Sequence, residues 1–366
     1  MALNNCSAQV QAKIFDLYER GAWNPHVGVL DFVFSPANGA KLQVEMIGRP
    51  NGKNTQYSIT YPVAVCTANV SSVVCTDAGA ATEMTSCVAF SGFEYLSSGW
   101  IKADVSQFRD LGQLEVVEVM SHQASQKMKQ LKADIDLAVL LAINTEAASG
   151  CIDGTTTTRT ISLIDVNGAP VFNTDVDISA DFLDAGFDGS PILLGNRQLL
   201  KYVNGIRNGA GNQYGQRVDT IDTFSGAYYD KNINATNTAP TTPGNEVMFA
   251  ILPQLVNVIS WSANVGIFAT RSGGMTINSV DPMKLVNTDN STYMHTVLTD
   301  PASGMMFDFD IIYDAACKSF KWKLDTYYKV VILDLMGCKE SCFNGIIKYD
   351  ICPAIPVNCL EAPVVA

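Results

Sequence analysis

The chain has 366 residues, of which 47% are hydrophobic and 16% are charged, a folded globular composition with few charges. Its length gives room for about two domains. The formal net charge is −12, and no segment concentrates lysine and arginine, which excludes tight nucleic-acid binding in a basic groove. The low charged fraction leaves neutral surface, which favours protein–protein contact.

The sequence predicts no membrane span and no signal peptide. No stretch is long and apolar enough to cross a bilayer, and residues 1–20 lack the basic start and apolar run of a signal peptide. We therefore expect a chain that is used without secretion and without a membrane. Ten cysteines are too few for a disulfide scaffold, so we expect most of them to be free, small hydrophobic side chains.

The first 38 residues predict a helix and an arm. Val10, Ile14 and Leu17 share one face of a short helix over residues 7–20, which Gly21 ends. Gly21 to Asn38 contains glycine and proline breaks and predicts an extended segment that reaches onto a neighbour.

Residues 41–103 predict strands. Alternation indicates strands near residues 41–47, 56–67, 86–96 and 100–105. Because the region has too little apolar content for its own core and a hairpin alone is marginal, we expect it to pack on other subunits. The candidate contact residues are Tyr57, Ile59, Tyr61, Phe93, Tyr95 and Trp100.

Two cysteines lie on either side of the turn predicted at Asn69 to Ser72. A hairpin centred on Val70 and Ser71 would place Cys66 and Cys75 directly opposite each other, at a distance that a disulfide can bridge. A cross-strand pair of free thiols is the alternative.

The stretch from Phe108 to Asn144 predicts one long amphipathic helix of roughly 50 Å. Apolar residues recur every three or four positions, a spacing that drifts off a coiled-coil heptad. The all-apolar last turns, Leu137 to Ile143, predict full burial there, and Lys127, Lys129 and Lys132 are expected on the surface. The apolar face comprises Val117, Met120, Ala124, Met128, Leu131, Ile135, Ala138 and Ala142.

The middle of the chain predicts mixed structure. Arg159 to Val166 indicates a strand, and the aspartates between Asp175 and Asp188 indicate a solvated helix rather than a calcium site, because the close oxygen spacing and central glycine of a calcium loop are absent. Pro191 predicts the start of a helix that ends near Arg207. Ala227 to Asn245 predicts an exposed loop, followed by strands near residues 247–255 and 261–270.

The last third returns to strands. Met305 to Tyr313 and Ser319 to Tyr328 alternate apolar and polar residues and predict a long hairpin, which Val330 to Leu335 continues as a buried strand. The tail from Cys338 to Cys359 is rich in cysteine and proline.

Candidate chemistry is sparse. The three histidines are His26 in the arm, His122 on the long helix and His295 in a turn-rich region, and no hydrolase motif accompanies them. Asp308 and Asp310 share a strand face and could bind a divalent ion, or could pair with Lys321 and Lys323 on the opposite strand. Zinc binding fits only half of the set formed by Cys338, Cys342, Cys352 and Cys359. We expect no enzyme activity, no cofactor and no metal.

This order of elements resembles the major capsid proteins of tailed bacteriophages with the HK97-type fold. The resemblance implies an α+β fold with a long spine helix, an extended β-hairpin E-loop, a peripheral domain with long antiparallel strands and a mixed axial domain. In that arrangement the N-terminal helix and arm span residues 1–40, the E-loop spans 41–103, the peripheral domain spans 104–188 and 276–337 with the spine helix at 108–144, the axial domain spans 189–275 and the C-terminal tail spans 338–366.

The function that the resemblance implies is structural. Copies of the chain would form hexamers and pentamers of an icosahedral shell around double-stranded DNA, with portal and with scaffold or decoration proteins as further partners. The shell would assemble in the host cytoplasm and remain in the virion. The alternative function is that of a β-rich, adhesin-like surface binding protein.

Overall fold

The protein is described by a computed structural model in a set of segments covering most of the chain. They are residues 12–13, 27–38, 43–47, 56–62, 85–91, 93–104, 113–152, 155–163, 174–187, 190–209, 224–262, 267–269, 292–300, 303–314, 319–333 and 343–352.

Helices and strands are mixed along the chain, which confirms the predicted α+β class. The helices are α1 (Gly28–Val33), α2 (Gln113–Ser149), α3 (Thr174–Asp184), α4 (Arg197–Gly209) and α5 (Ala235–Thr238), with a 3-10 turn at Pro36–Asn38. The strands are β1 (Gln43–Ile47), β2 (Gln56–Pro62), β3 (Thr85–Ser91), β4 (Glu94–Ser97), β5 (Ile101–Asp104), β6 (Cys151–Ile152), β7 (Thr155–Thr156), β8 (Thr158–Ile161), β9 (Ile192–Gly195), β10 (Gly226–Tyr229), β11 (Glu246–Ile251), β12 (Val256–Ser262), β13 (Ile267–Ala269), β14 (Thr292–Thr299), β15 (Met306–Asp314), β16 (Ser319–Ile332) and β17 (Ile346–Ile351).

A seven-stranded antiparallel sheet is organised around β16, which is 14 residues long. Asp325 pairs with Asp308 of β15 and with Ser97 of β4, and Tyr327 pairs with Trp261 of β12 and with Tyr95 of β4. Since a strand has two edges, β15 and β12 lie end to end along one edge of β16, and β4 and β5 lie along the other. The Oγ of Ser260 accepts a 2.9 Å hydrogen bond from the N–H of Met306 where β12 meets β15.

A five-stranded mixed sheet has the order β10-β9-β11-β17-β8. Its central strands are apolar along nearly their whole length because both faces are covered. Phe249 and Ile251 lie in the core shared with α2, whereas Met248 and Ala250 pack in a second core with α3 and α4. The sheet is therefore the middle of three layers.

Helix α2, 37 residues long, joins the two sheets. The indole Nε1 of Trp322 in β16 donates to Oε1 of Gln123 (3.3 Å) near the start of the helix. Near its end, Asn344, which precedes β17, donates to the carbonyl of Glu146, and Thr157 donates to the carbonyl of Ala147. These two side chains satisfy carbonyls that the last turn of a helix leaves without partners. The buried apolar residues of the helix are Met120, Ala124, Met128, Leu131, Ile135, Val139, Leu140, Ile143 and Ala147.

The long helix that the sequence predicts is confirmed, with three differences. It continues to Ser149, five residues past the predicted end. Leu141 is 44% exposed, so the predicted full burial of the last turns is wrong, because only one side of the helix meets the sheets. Lys132 is 3% exposed and its Nζ lies 2.8 Å from Oδ2 of Asp300, so its expected surface position is also wrong.

The predicted extended segment up to Asn38 is wrong over residues 28–38. These residues form α1 and the 3-10 turn, and Val29 and Phe32 are fully buried. A Cβ on Gly28 would lie 1.9 Å from the carbonyl oxygen of Tyr229, so only glycine allows α1 to begin this close to β10. Of the helix predicted at residues 7–20, residues 12–13 are helical and the others lie outside the described residues.

Two predictions in the middle of the chain are wrong as well. Residues 192–195, predicted as helix after Pro191, form the buried strand β9, and the helix α4 begins at Arg197. A four-residue apolar run has no periodicity to separate a buried strand from a helix. The loop predicted at 227–245 contains β10 and α5, and its Asp230 and Ile233 are buried. The acidic stretch does form a helix, α3.

Strand pairing also divides the chain differently from the predicted segments. Strands β4 and β5, grouped with the hairpin region at 41–103, pair with β16. Strands β12 and β13, grouped with the axial domain at 189–275, join the same seven-stranded sheet. Strand β17, placed in the C-terminal tail at 338–366, is a fully buried inner strand of the five-stranded sheet. The predicted hairpin at 305–328 is confirmed by β15 and β16.

Truncating the buried face of α2 should destabilise the fold. Leu131→Ala should lower the free energy of unfolding by about 2–5 kcal/mol, because Leu131 is 4% exposed and its removal leaves a cavity. Leu141→Ala, the same change on the same helix at a 44% exposed position, should cost less than about 1 kcal/mol. Chemical denaturation of the two variants measures both values. Equal losses would mean that the helix does not pack as described.

Candidate interaction surface

The face of the seven-stranded sheet that turns away from α2 carries the candidate contact residues of its strands. Leu324 and Trp322 of β16 lie in the core with α2. Because side chains alternate along a strand, Lys323, Asp325 and Tyr327 lie on the other side, which we call the outer face. The structure thus places Phe93, Tyr95 and Trp100 on or beside a sheet, not on the hairpin to which the sequence assigned them.

An aromatic row crosses three strands of the outer face. Tyr95, Tyr327 and Trp261 occupy facing register positions on β4, β16 and β12. Ring centroids are 4.9 Å apart for Tyr95 and Tyr327, and 5.5 Å apart for Trp261 and Tyr327. Phe93 stacks on Trp261 at 5.6 Å. Such cross-strand aromatic pairs stabilise a sheet, and the 48% exposure of Tyr95 leaves ring surface for a partner.

An acidic group with one lysine lies beside this row. Asp308, Asp310 and Asp325 are 3–5% exposed on β15 and β16. The Nζ of Lys323 lies 3.2 Å from Oδ2 of Asp310 and also bonds Asp325. Burial opposes the charge on Lys323, but hydrogen bonds and ion pairs with Asp325 and Asp310 outweigh it and hold the pKa of the lysine above its usual range.

The predicted charge pairing is therefore confirmed for one of its two pairs. Asp310 lies opposite Lys323, but Asp308 lies opposite Asp325, and Lys321 lies opposite Ile312. All three aspartates, Asp308, Asp310 and Asp325, are nearly buried. Oδ1 of Asp325 also accepts a hydrogen bond from the Oγ of Ser97.

The indole ring of Trp100 lies against the ammonium group of Lys323. Its ring centroid lies 5.4 Å from Nζ of Lys323, a cation–π distance, and the indole is 48% exposed. Burial raises the pKa of Tyr327, and Tyr95, Asp325 and Asp308 raise it further, so Tyr327 stays neutral over the physiological range. Neutral, partly exposed aromatic rings are typical of protein–protein contacts.

The other candidate residues of the sequence are dispersed. His122 lies on α2, His295 lies on β14 instead of in a turn, and His26 is outside the described residues. Across the described part of the chain, no group of three or more His, Cys, Asp or Glu side chains is placed to hold a metal ion. Where the chain is described, no helix combines the length and the apolarity that a membrane crossing requires.

The cysteines give a mixed result. Cys151 in β6 is disulfide-bonded, whereas most cysteines were expected to be free. Cys352 is buried at the end of β17. Cys66 and Cys75 lie outside the described residues, so the bond between them stays a prediction.

The chain is similar to solved structures over most of its length. No protein-family model and no curated protein matches the chain. A structure from Mycobacterium phage Adephagia is 12% identical with a TM-score of 0.41, and 85% of this chain aligns with 88% of that one. A structure named "Capsid structure of Staphylococcus phage Andhra" is 8% identical with a TM-score of 0.40, and 86% of this chain aligns with 83% of that one.

A third similar structure is named "Capsid of Ralstonia phage GP4". It is 10% identical with a TM-score of 0.38, and 84% of this chain aligns with 86% of that one. The similarity to these three structures, at 8–12% identity and TM-scores of 0.38–0.41, is one of structure alone.

Removing the lysine from the acidic group should destabilise the sheet. Lys323→Met leaves Asp310 and Asp325 without their shared cation and should lower the free energy of unfolding by about 1–3 kcal/mol. Lys321→Met, on the same face of β16 and exposed, should stay within about 0.5 kcal/mol of the unchanged protein. Urea unfolding of both variants provides the test, and a loss at Lys321 as large as that at Lys323 contradicts it.

Proposed function

We propose that this chain is the major capsid protein of a tailed bacteriophage, with an HK97-type fold, and that its copies form an icosahedral shell. One observation carries the proposal. A 37-residue helix fixes two sheets into one core, while the three strands β1-β2-β3 form a separate sheet whose register assigns rows of apolar residues to one face. An element of that kind needs a second copy to complete it.

The register of β1, β2 and β3 supports this argument. One row across the sheet contains Val44, Ile59 and Val88. A second row, two residues away along β2, contains Met46, Tyr57 and Phe90. Both rows share a face, whereas the rows between and beside them contain mostly polar residues, such as Gln43 with Thr60. Among the described elements, β1, β2 and β3 form strand pairs only with one another.

The contact candidates then belong to two surfaces. The first surface is the apolar face of the β1-β2-β3 sheet, which acts as the E-loop. It contains every second residue of β2, namely Tyr57, Ile59 and Tyr61. Phe93, Tyr95 and Trp100 belong to the outer face, within or next to the peripheral sheet. In a shell both surfaces would be covered by neighbouring subunits. We retain the spine helix as the centre of the peripheral domain, and we assign the five-stranded sheet with α3 and α4 to the axial domain.

The proposed role is structural. Hexamers and pentamers of the chain build the shell, and portal, scaffold or decoration proteins are its further partners. The shell assembles in the host cytoplasm and encloses double-stranded DNA in the virion. Catalysis is not part of this role. A β-rich adhesin is disfavoured because a buried helix, not a sheet alone, organises the core.

A charge on the apolar face of the arm sheet should block assembly. Ile59→Asp places a carboxylate in the middle of the Val44 row and should lower the yield of shells by roughly tenfold or more, since 1.4 kcal/mol is worth a factor of ten. Thr60→Asp, the next residue on the opposite face, should leave the yield unchanged. Light scattering and sedimentation of both variants count particles, and thermal melting shows that each subunit remains folded. Normal assembly of the Ile59 variant counts against the proposal.

The shell should not need DNA to form. With a net charge of −12 the chain cannot neutralise packaged DNA, so assembly should depend on apolar and neutral polar contacts that salt does not screen. Shells should therefore assemble after nuclease treatment and remain intact in about 1 M NaCl, where the Debye length is about 3 Å. Dependence on added DNA, or dissociation in high salt, would show that a basic surface is involved.

A further inference from the structure

The start of α1 is held by two carboxyl groups that come from distant parts of the chain. Oδ1 of Asp136, on α2, accepts a 2.9 Å hydrogen bond from the N–H of Leu30. Oδ2 of Asp230, directly after β10, accepts a 2.6 Å hydrogen bond from the N–H of Gly28. Asp136 is 0% exposed and Asp230 is 2% exposed. Neither residue has a part in the proposed interaction surface.

The two carboxyl groups also lie close to each other, so that the charge of Asp230 acts on Asp136. Asn232 contacts both, because its backbone N–H donates to Oδ1 of Asp230 at 2.7 Å and its Nδ2 lies 3.5 Å from Oδ2 of Asp136. Two carboxylates this close together inside the core repel each other, and a proton on one of them removes the repulsion.

The charged groups on the surrounding elements do not replace that proton. Asp31 on α1 and Lys231 beside Asp230 are exposed. On α2, Lys132 is paired with Asp300 at 2.8 Å. On β17, Nζ of Lys348 donates to the carbonyl oxygens of Thr238 and Ala239, and Asp350 accepts from the N–H groups of Thr241 and Thr242. The charge that acts on Asp136 is that of Asp230.

We propose that Asp136 and Asp230 form a proton-binding site that holds residues 28–31 against the core, and that loss of the shared proton loosens the beginning of α1. In the protonated pair, one carboxyl donates to the other while both still accept from the backbone of α1. When the proton dissociates, two buried negative charges face each other at the same point and repel.

The pH range in which the carboxyl group of Asp136 titrates supports the same mechanism. Burial, followed by the charge of Asp230, raises the pKa of Asp136 to about 7. A carboxyl whose pKa is raised in the folded state binds its proton more tightly there than in the unfolded chain. Its stabilising contribution is therefore complete below about pH 4 and is lost as the pH rises through about 7.

The other end of the segment is independent of pH and provides an internal control. Asn38 donates through Nδ2 to the carbonyls of Val33 (3.0 Å) and Val256 (2.7 Å), and its Oδ1 accepts from the N–H of Gln254 (3.0 Å). No titratable group takes part. Loosening should therefore be confined to the beginning of α1.

Hydrogen exchange of the full chain, read by mass spectrometry and corrected for the intrinsic pH dependence of exchange, tests the proposal. Between pH 5 and pH 8.5 the protection of the amides of residues 28–31 should fall by at least about tenfold, while that of residues 35–38 should stay constant. Asp136→Asn can donate to Asp230 and still accept from Leu30, so it mimics the protonated pair and should remain protected at both pH values. Asp134→Asn, an exposed position on the same helix, should behave like the unchanged protein.

Two results would overturn the proposal. One is constant protection of residues 28–31 in the unchanged protein, and the other is an equal pH-dependent loss in Asp136→Asn. If the Asp136 variant does not fold, infrared spectroscopy of the unchanged protein decides, since the C=O stretch of a protonated carboxyl should disappear with a midpoint near pH 7. Absence of such a titrating band at any pH between 5 and 8.5 also refutes the shared proton.

Discussion

The buried face of α2 is the constraint on which the rest of the structure depends. From Met120 to Ala147 this face stays in the core over about 40 Å, and both sheets pack against it. The seven-stranded sheet packs near its beginning, where Gln123 meets Trp322, and the five-stranded sheet packs near its end, where Asn344 caps it. The positions of the two sheets are therefore set by one rigid element.

Polar groups inside this core decide which segments dock on the helix. Buried Lys132 needs a hydrogen-bond acceptor, and the carboxylate of Asp300, at the turn between β14 and β15, provides one. One helical turn further along α2, Asp136 accepts a hydrogen bond from the N–H of Leu30 at the start of α1. Buried polar residues of this kind cost free energy when unpaired, so they penalise other arrangements of the same segments. The apolar residues hold the sheets together, and the polar ones select the arrangement.

The sequence was sufficient where a long periodic pattern exists and insufficient where pairing is distant. The helix α2 and the hairpin β15-β16 follow from periodicity over many residues. Strand β9 was missed because its four buried residues have no period, and β17 was missed because its cysteine- and proline-rich surroundings suggested a tail. Lys132 was expected on the surface because its partner lies 168 residues away. The aromatic row could not be found either, since Tyr95, Trp261 and Tyr327 become neighbours only through the register of three strands.

The central claim is that this subunit exists to build a closed shell with copies of itself. Negative-stain electron microscopy of the purified protein tests it most directly, because it reports symmetry without a model of the contacts. The account predicts closed, icosahedral particles, or rings of six and five subunits in preparations that have not closed. A preparation that contains only monomers at all concentrations, with or without a co-expressed scaffold, would contradict it.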